Sequence, residues 1–297
     1  MNSTISEGLL VVAFRLTFRP VEDEDHLVER MVLSAQNTPR TEGSFYVYPG
    51  LLPMGLLPDL FRMEPEGMAE RVQAAGSDLK NAYDRLGRAL AMRLRSWVLP
   101  GSVLVPGETG YRHIAAIFSP EGEKCGEQGQ THAFREEIEL EVSSLVTVIP
   151  VGGIQVGILL GADPWVPEVS RVMALRGAEI LVAPLAPRAP YTAERAVAGL
   201  WQEVQQNQVF GCEAGLTGLL FDTMVEGKLG FMGPCEITPG ESGFFEGVGY
   251  QTIEGPKATR LDPAMLRKAR EANPLLRQMN PGLYRRYFPQ ASWRDGP

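Results

Sequence analysis

The segment GILLGADPWVPEVSRVMALRGAEILVAP, residues 157–184, decides the fold. It reads as an apolar strand, a short turn, a helix opened by Pro167 and Glu168, and a second apolar strand. A sharp strand-to-helix turn of this kind is where many hydrolases present a nucleophilic side chain. Gly161 stands at this turn. The segment therefore predicts an elbow that lacks its nucleophile.

Seven residues in this segment stand at fixed spacings: Gly157, Asp163, Pro167, Glu168, Arg171, Gly177 and Ala178. The pattern resembles the core motif of the nitrilase superfamily, the carbon–nitrogen hydrolases, which reads approximately G-x-x-I-C-x-D-x-x-x-P-E-x-x-R-x-x-x-x-x-G-A. Gly161 occupies the position of the family's catalytic cysteine. We expect Asp163, Glu168 and Arg171 to be framework residues that bond the elbow and cap its helix.

The family's other two catalytic residues, a general-base glutamate and a lysine, fall on segments that keep the motif and lose the side chain. FYVYPGLLPMG keeps Pro49 and Gly55 of the motif P-E-x-x-x-x-G, with Gly50 in place of the glutamate. GEQGQTHAFREE keeps His132 ahead of two acids, with Gln130 in place of the lysine. All three catalytic positions therefore carry other residues.

Two later segments extend the resemblance over nearly the whole chain. FMGPCEITPGESG resembles a motif that begins F-x-G-x-S-x-I, with Cys235 where serine is usual, and QQNQVFGCEAGLTG resembles E-N-x-x-F-x-x-x-x-N-x-x-G, with Gly215 at a polar position. The resemblance implies an α/β fold, a four-layer αββα sandwich. We expect a single carbon–nitrogen-hydrolase-like domain over residues 1–279 and a C-terminal tail over 280–297.

The spacing of apolar residues places two further helices. It predicts one long helix from Leu79 to Trp97, ended by Pro100 and Gly101. Asp262, followed by proline, predicts the start of a last helix.

Composition limits the partners and the compartment. A net charge of -8 with scattered basic residues argues against nucleic acid and anionic membranes. Three cysteines cannot all pair, the N-terminus does not resemble a signal peptide, and no apolar run is long enough to cross a membrane, which favours the cytoplasm. The histidines and cysteines do not cluster, so we expect no metal site and no cofactor.

The resemblance also assigns the missing chemistry. In the family the thiolate attacks an amide or nitrile carbon, the glutamate transfers the proton, and the lysine stabilises the oxyanion. Gly161 and Gly50 have no side chain for the first two roles, and Gln130 offers an uncharged amide. The resemblance therefore implies a catalytically inactive member. A residual pocket would be lined by Glu136, Glu137, His132, Trp165 and Cys235.

Three functions remain open. The first is a pseudoenzyme with a structural, regulatory or partner-binding role. The second is a sensor of a small amide-like or amino-acid-like molecule, in a pocket enlarged by the lost side chains. The third is a carbon–nitrogen hydrolase with a non-standard nucleophile: Cys235, Cys212 or an activated water.

The family pairs its subunits through the elbow helix and the next helix, so we expect a homodimer or a higher homo-oligomer. The helices that follow Pro167 and Thr192 carry more apolar surface than one sheet face needs. The tail adds four large aromatic residues, which are Tyr284, Tyr287, Phe288 and Trp293. Aromatic residues are enriched at subunit interfaces, so the tail is expected there.

Overall fold

The computed structural model describes residues 8–39, 41–56, 68–135, 137, 139–220, 223–246 and 249–287. Of the residues predicted above, Glu136, Phe288 and Trp293 lie outside this described part.

Strands make up both inner layers of the described chain. They are β1 (Leu9–Thr17), β2 (Phe45–Val47), β3 (Trp97–Leu99), β4 (Val103–Pro106), β5 (Tyr111–Phe118), β6 (Lys124–Gly129), β7 (Val148–Val151), β8 (Ile154–Ile158), β9 (Ile180–Leu185), β10 (Phe210–Leu220), β11 (Thr223–Glu226), β12 (Gly230–Met232) and β13 (Gly255–Leu261).

The described part of the chain has seven α-helices. They are α1 (Glu24–Ser34), α2 (Met68–Leu94), α3 (Pro167–Leu175), α4 (Ala193–Ala196), α5 (Gln202–Asn207), α6 (Pro263–Ala272) and α7 (Pro281–Tyr287). A π-helical turn, Val197–Trp201, joins α4 to α5.

The strands form one curled sheet with two halves. The first half has the order β4-β5-β3-β2-β1, and the second continues as β10-β9-β8-β7. The halves meet where β1 pairs in parallel with β10, Leu16 opposite Leu216 and Thr17 opposite Thr217. The carboxyl ends of β2, β6 and β8 lead into the segments that resemble the family's catalytic positions.

Side-chain alternation along β1 shows the layers. Val11 and Ala13 pack into the core between the two halves of the sheet, whereas Val12 and Phe14 pack into the core under α1 and α2. A strand covered on both faces is apolar throughout, because successive side chains point to opposite faces. A third core lies between the second half and the helices α3 and α5. The predicted four-layer αββα sandwich is confirmed.

Side chains cap the starts of three helices, and two of these, after Thr192 and Asp262, confirm helices expected from the sequence. Asp23 accepts a hydrogen bond from the backbone N–H of His26 at the start of α1, and Thr192 accepts one from the N–H of Arg195 at the start of α4. Asp262 likewise caps α6, whose first residue is a proline. Each cap satisfies a backbone donor that has no partner within the helix.

Two predicted helix boundaries are wrong. The long helix ends at Leu94, because Arg95 adopts a left-handed conformation with φ 50°. Trp97 then begins β3, paired with Phe45. Its apolar side chain fits a helical spacing as well as a strand, so periodicity could not place the boundary. The helix after Asp262 is not the last one either, since α7 lies within the predicted tail.

No helix in the described ranges is both long and apolar enough to span a bilayer.

Candidate functional site

Asp163 fastens the elbow to the segment that carries Gln130. Its buried carboxylate accepts hydrogen bonds from the backbone N–H groups of Leu160, Thr131 and His132, and from the Thr131 hydroxyl at 2.8 Å. Burial raises the pKa of Asp163, and these hydrogen bonds oppose the rise because they favour the charged form. The prediction that Asp163 bonds the elbow is confirmed.

Gly161 leaves no vacant space at the elbow. Its φ is +50°, the left-handed conformation that glycine adopts without strain. A methyl carbon built on Gly161 would overlap the side-chain amide of Gln130. Gln130 is itself 1% exposed. The expectation that a lost cysteine side chain enlarges the pocket at this point is wrong, because Gln130 fills the volume.

Gly50 is closed in by backbone. A Cβ atom at this position would lie 2.5 Å from the carbonyl oxygen of Pro184 and 3.2 Å from the nitrogen of Leu185. Real Cβ atoms do not approach backbone atoms at 2.5 Å, so any larger residue at position 50 requires the end of β9 to move. The expected extra space at position 50 is therefore also absent.

The Gln130 carbonyl ends a buried chain of hydrogen bonds that starts next to Gly50. Leu51 N–H donates to the Ser102 hydroxyl at 3.0 Å, and Ser102 lies 2.6 Å from Nε2 of His113. Nδ1 of His113 lies 2.6 Å from Oε1 of Gln130. A carbonyl oxygen only accepts, so Nδ1 is the donor and Nε2 accepts from Ser102. Burial lowers the pKa of His113 to about 4, which keeps the ring neutral near pH 7.

Both N–H groups of the Gln130 side-chain amide also have hydrogen-bond partners. Nε2 donates to the backbone carbonyl of His132 at 2.6 Å and to Oε2 of Glu137 at 2.9 Å. Oε2 of Glu137 also accepts from the N–H of Phe134. With every polar atom of the amide partnered, Gln130 has no hydrogen bond to offer a substrate without breaking one of these.

His132 and Trp165 are the two other predicted pocket residues near the elbow, and each has a structural partner. Nε2 of His132 lies 3.1 Å from Oε1 of Glu168. Glu168 therefore meets His132 across the elbow, and α3 has no side-chain cap, so the prediction that Glu168 caps the helix is wrong. Nε1 of Trp165 donates to the carbonyl of Arg195 in α4.

The structure does not bring the cysteines to this site. Cys235 begins a 3-10 turn and its N–H donates to Gln205, while Cys212 is buried in the core between the two halves of the sheet. Burial raises the pKa of both thiols. Only the thiolate is a good nucleophile, so neither cysteine is activated.

Sequence reasoning missed Ser102 and His113. The hairpin β4–β5 and the pairing of β5 with β6 bring them to Gln130, because Leu104 stands opposite His113 and Ile114 opposite Gly129. The strand β6 was itself not predicted, since its mostly polar sequence has no strand periodicity. Without that strand, nothing in the sequence connected His113 to the site.

Within the described residues, no group of three or more histidine, cysteine or acidic side chains is arranged to hold a metal ion.

The layers and the elbow define an α/β protein with the nitrilase fold. A mutant amidase of Nesterenkonia sp. AN1, with the acetamide moiety of fluoroacetamide covalently added at its active-site cysteine, matches with a TM-score of 0.72 at 17% identity, over 95% of this chain and 97% of the amidase chain. A carbon–nitrogen hydrolase from Helicobacter pylori G27 matches with a TM-score of 0.73 at 16% identity, over 94% of this chain and 98% of that chain. At such identities the likeness establishes the fold.

A further structure of the Nesterenkonia amidase, a double mutant in complex with acrylamide, matches with a TM-score of 0.73 at 17% identity, over 95% of this chain and 97% of that chain. No protein-family model and no curated protein sequence matches the chain.

Proposed function

We propose that this chain is a non-hydrolytic protein with the nitrilase fold, whose role is structural, regulatory or partner-binding. The observation that carries the proposal is the pairing of Gly161 with Gln130. The elbow has no nucleophilic side chain, and the space for one is taken by a buried amide with all its polar atoms bonded.

The chemistry of covalent amide hydrolysis has no support among the residues at these positions. A nucleophile, a base and an oxyanion donor must act together on one carbon atom. Gly161 supplies no nucleophile and Gly50 supplies no base. The Gln130 amide donates to Glu137 and His132 and is not free to act as the oxyanion donor. A charged lysine in place of Gln130 would also sit in a site whose neighbouring His113 is held neutral by burial.

The changes at the three positions are energetically consistent with one another. Removing one partner of a buried ion pair leaves an unpaired charge, which costs about 3–5 kcal/mol. Replacing the glutamate and the lysine by neutral residues avoids that cost. The retained acid, Glu137, accepts from a neutral amide and a backbone N–H. The neutral residues at all three positions are therefore more consistent with the joint loss of all catalytic side chains than with the loss of a single one.

The two alternative functions find less support at these positions. One structure of the Nesterenkonia amidase is in complex with acrylamide, a primary amide. In this chain a primary amide of its own, on Gln130, fills the volume beside the elbow, which argues against an amide sensor there. Burial raises the pKa of Cys212 and of the half-buried Cys235, which argues against hydrolysis through either thiol.

The assembly and the compartment are part of the same proposal. We propose a cytoplasmic homodimer formed by the outward faces of α3 and the π-helical turn. Val172, Leu175 and Val197 expose 42%, 56% and 36% of their surface there, more apolar surface than these short helices need to leave in water. The alternative within this proposal is that a different protein, and not a second copy of this chain, binds the same surface.

A hydrolysis assay tests the proposal. Purified protein is incubated with a panel of aliphatic amides, nitriles and carbamoyl compounds, and ammonia release is followed across the fractions of a size-exclusion column. The Nesterenkonia amidase serves as the positive control. We expect no release above buffer. Ammonia release that follows the protein peak and is lost in a Cys235→Ala or Cys212→Ala variant would establish the third function instead.

A further inference from the structure

The imidazole of His132 lies between two carboxylates beside the elbow. Its Nε2 atom is 3.1 Å from Oε1 of Glu168 on α3. Its Nδ1 atom is 2.9 Å from the Thr131 hydroxyl and 3.7 Å from Oδ1 of Asp163. The ring therefore joins the segment that follows β6 to the first turn of α3. The donors and acceptors at these contacts determine which ring nitrogens carry protons.

Thr131 determines the role of Nδ1. Both oxygens of Asp163 accept backbone N–H groups, so this carboxylate is an acceptor. The Thr131 hydroxyl has a single proton, which it donates to Oδ1 of Asp163 at 2.8 Å. The hydroxyl oxygen can therefore only accept from the imidazole. A neutral His132 ring holds its one proton on Nδ1.

Glu168 requires a second proton on the same ring, because an ionised carboxylate only accepts hydrogen bonds. With the first proton on Nδ1, a neutral ring would turn the lone pair of Nε2 toward Oε1 of Glu168, so two acceptors would face each other at 3.1 Å. The contact is a hydrogen bond only when the ring is an imidazolium that donates from both nitrogens.

The same reasoning gives the opposite result at His113. There Nδ1 donates to the Gln130 carbonyl and Nε2 accepts from the Ser102 hydroxyl, so a neutral ring satisfies both partners. The two histidines differ because one has a carboxylate as its second partner and the other has a hydroxyl. His113 needs one proton, whereas His132 needs two.

Among the described residues, Asp163 and Glu168 are the carboxylates within 4.0 Å of the ring nitrogens of His132. Other charged side chains on the adjoining elements are Glu137, Arg135, Arg171 and Arg195. The Glu137 carboxylate accepts from the Gln130 amide and the N–H of Phe134. Arg135 is exposed, Arg171 lies against Met279, and Arg195 lies over the ring of Trp165.

We propose that Thr131, His132 and Glu168 form a proton-dependent clamp between the segment after β6 and α3. The clamp is closed when the ring carries two protons and open when it carries one, because Thr131 keeps the remaining proton on Nδ1. Histidine side chains change charge between about pH 5 and 8, so raising the pH through this range releases Glu168. The clamp uses neither residue 50 nor residue 161 and does not require dimerisation, so it goes beyond the proposed function.

The clamp would also act on the surface proposed for association. Glu168 and Val172 are four residues apart on α3 and therefore lie on the same side of the helix. When the clamp opens, the Glu168 carboxylate becomes available at the edge of that surface. This consequence rests on the proposed function, whereas the clamp itself is measured without any association.

Two-bond ¹H–¹⁵N NMR spectra of the intact protein show which nitrogens of each histidine ring carry protons. The chain has three histidines, and His132→Gln assigns the His132 signals by their loss. We expect both nitrogens of His132 to be protonated at pH 5.5 and Nδ1 alone at pH 8. His113 is the internal reference for a ring with its proton on Nδ1. A single proton on Nε2 of His132 at pH 8 would overturn the proposal.

Thr131→Val tests the part given to the hydroxyl. Without an acceptor beside Nδ1, a neutral ring can place its proton on Nε2 and still donate to Glu168. We therefore expect the His132 proton on Nε2 at pH 8 in this variant, and a contact with Glu168 that no longer depends on pH. A proton that stays on Nδ1 would overturn the role of Thr131.

A double-mutant cycle of His132→Gln and Glu168→Gln measures the clamp through urea denaturation. Both side chains are partly exposed, so we expect their coupling to change the folding equilibrium constant by a factor of about two to five at pH 5.5, and to vanish at pH 8. In the control cycle Asp25→Asn, at an exposed position on α1, replaces Glu168→Gln and should show no coupling with His132→Gln at either pH. A His132–Glu168 coupling that is equal at the two pH values, or absent at both, contradicts the clamp.

Discussion

At the scale of single residues, Gln130 decides the state of the elbow. The side chain that stands at the family's lysine position fills the volume at the family's cysteine position, and glycine at 161 is what permits this. Neither a cysteine at position 161 nor a lysine at position 130 would fit without a change at the other position. A cysteine at 161 requires Gln130 to leave, and a lysine at 130 would bring a charge into a fully bonded neutral network.

Introducing a cysteine at position 161 should therefore give no hydrolysis and should also destabilise the protein. Gly161→Cys should show no amide hydrolysis, because its thiol has no base and no cationic oxyanion donor beside it. It should also lose about 1–3 kcal/mol of unfolding free energy through overpacking against Gln130. In a double-mutant cycle with Gln130→Ala, the loss should be smaller than the sum of the single losses, measured by urea denaturation. Turnover by Gly161→Cys alone would show that the site needs only its nucleophile.

His113 predicts a pH dependence of stability. Its pKa falls from about 6.5 in the unfolded chain to about 4 in the folded protein. Between these values the unfolded chain binds a proton that the folded protein does not, so stability falls as the pH decreases from 6.5 to 4. The expected loss from this residue is roughly 3 kcal/mol.

The measurement is chemical denaturation of the wild type and of His113→Gln at pH values from 4 to 7.5. In His113→Gln, the free energy of unfolding should fall less steeply as the pH decreases from 6.5 to 4. His26→Gln, at an exposed position on α1, is the matched control and should keep the wild-type slope. An unchanged slope in His113→Gln would show that His113 is protonated in the folded protein.

At the scale of elements, the elbow is held by hydrogen bonds from one carboxylate. Asp163 accepts from three backbone N–H groups and one hydroxyl, which join the turn before α3 to the segment after β6. The elbow therefore keeps its shape with glycine at position 161.

Asp163→Asn should be strongly destabilising. The amide would turn an N–H₂ group toward backbone donors and leave at least one of them unsatisfied, at a cost of about 2–4 kcal/mol. Glu168→Gln, at an exposed position on the adjoining helix, is the control and should change stability by no more than about 0.5 kcal/mol. Equal effects of the two variants in urea denaturation would contradict the role given to Asp163.

The elements differ in how far the sequence could predict them. The apolar strand β1, the capped helix α1 and the turn into α3 follow from periodicity and capping residues, because local chemistry determines them. The boundary at Arg95 and the strand β6 do not, since one depends on a left-handed residue and the other on pairing with β5. The site divides in the same way. The motifs predict other residues at the family's three catalytic positions, whereas the filling of the volume beside Gly161 by Gln130 depends on contacts across strands.

At the scale of the whole molecule, the segment that leads into the tail lies beside the surface proposed for dimerisation. Leu276 packs against the core under α3 and α5, and Sδ of Met279 lies 4.0 Å from a guanidinium nitrogen of Arg171 on α3. Every residue of α7 is exposed, including Tyr284 and Tyr287. The chain is thus held near α3 just before the tail, and the described aromatic side chains of the tail are exposed.

We expect these side chains to be buried by a second copy. Large exposed aromatic residues next to an apolar helix face are the residues that anchor protein interfaces. Truncation after Pro281 should therefore weaken the dimer, and Leu175→Asp should abolish it, because a buried unpaired carboxylate opposes association. Both are measured by sedimentation across a concentration series.

Leu33→Asp is the control for these variants, since Leu33 is 54% exposed on α1, in the opposite outer layer. It should leave the dimer intact, because that helix is not part of the proposed interface. A truncated protein that sediments as a dimer of unchanged stability would remove the tail from the interface. Association that also survives Leu175→Asp would move the interface away from α3, and wild-type protein that is monomeric at all concentrations would leave this surface to a different partner.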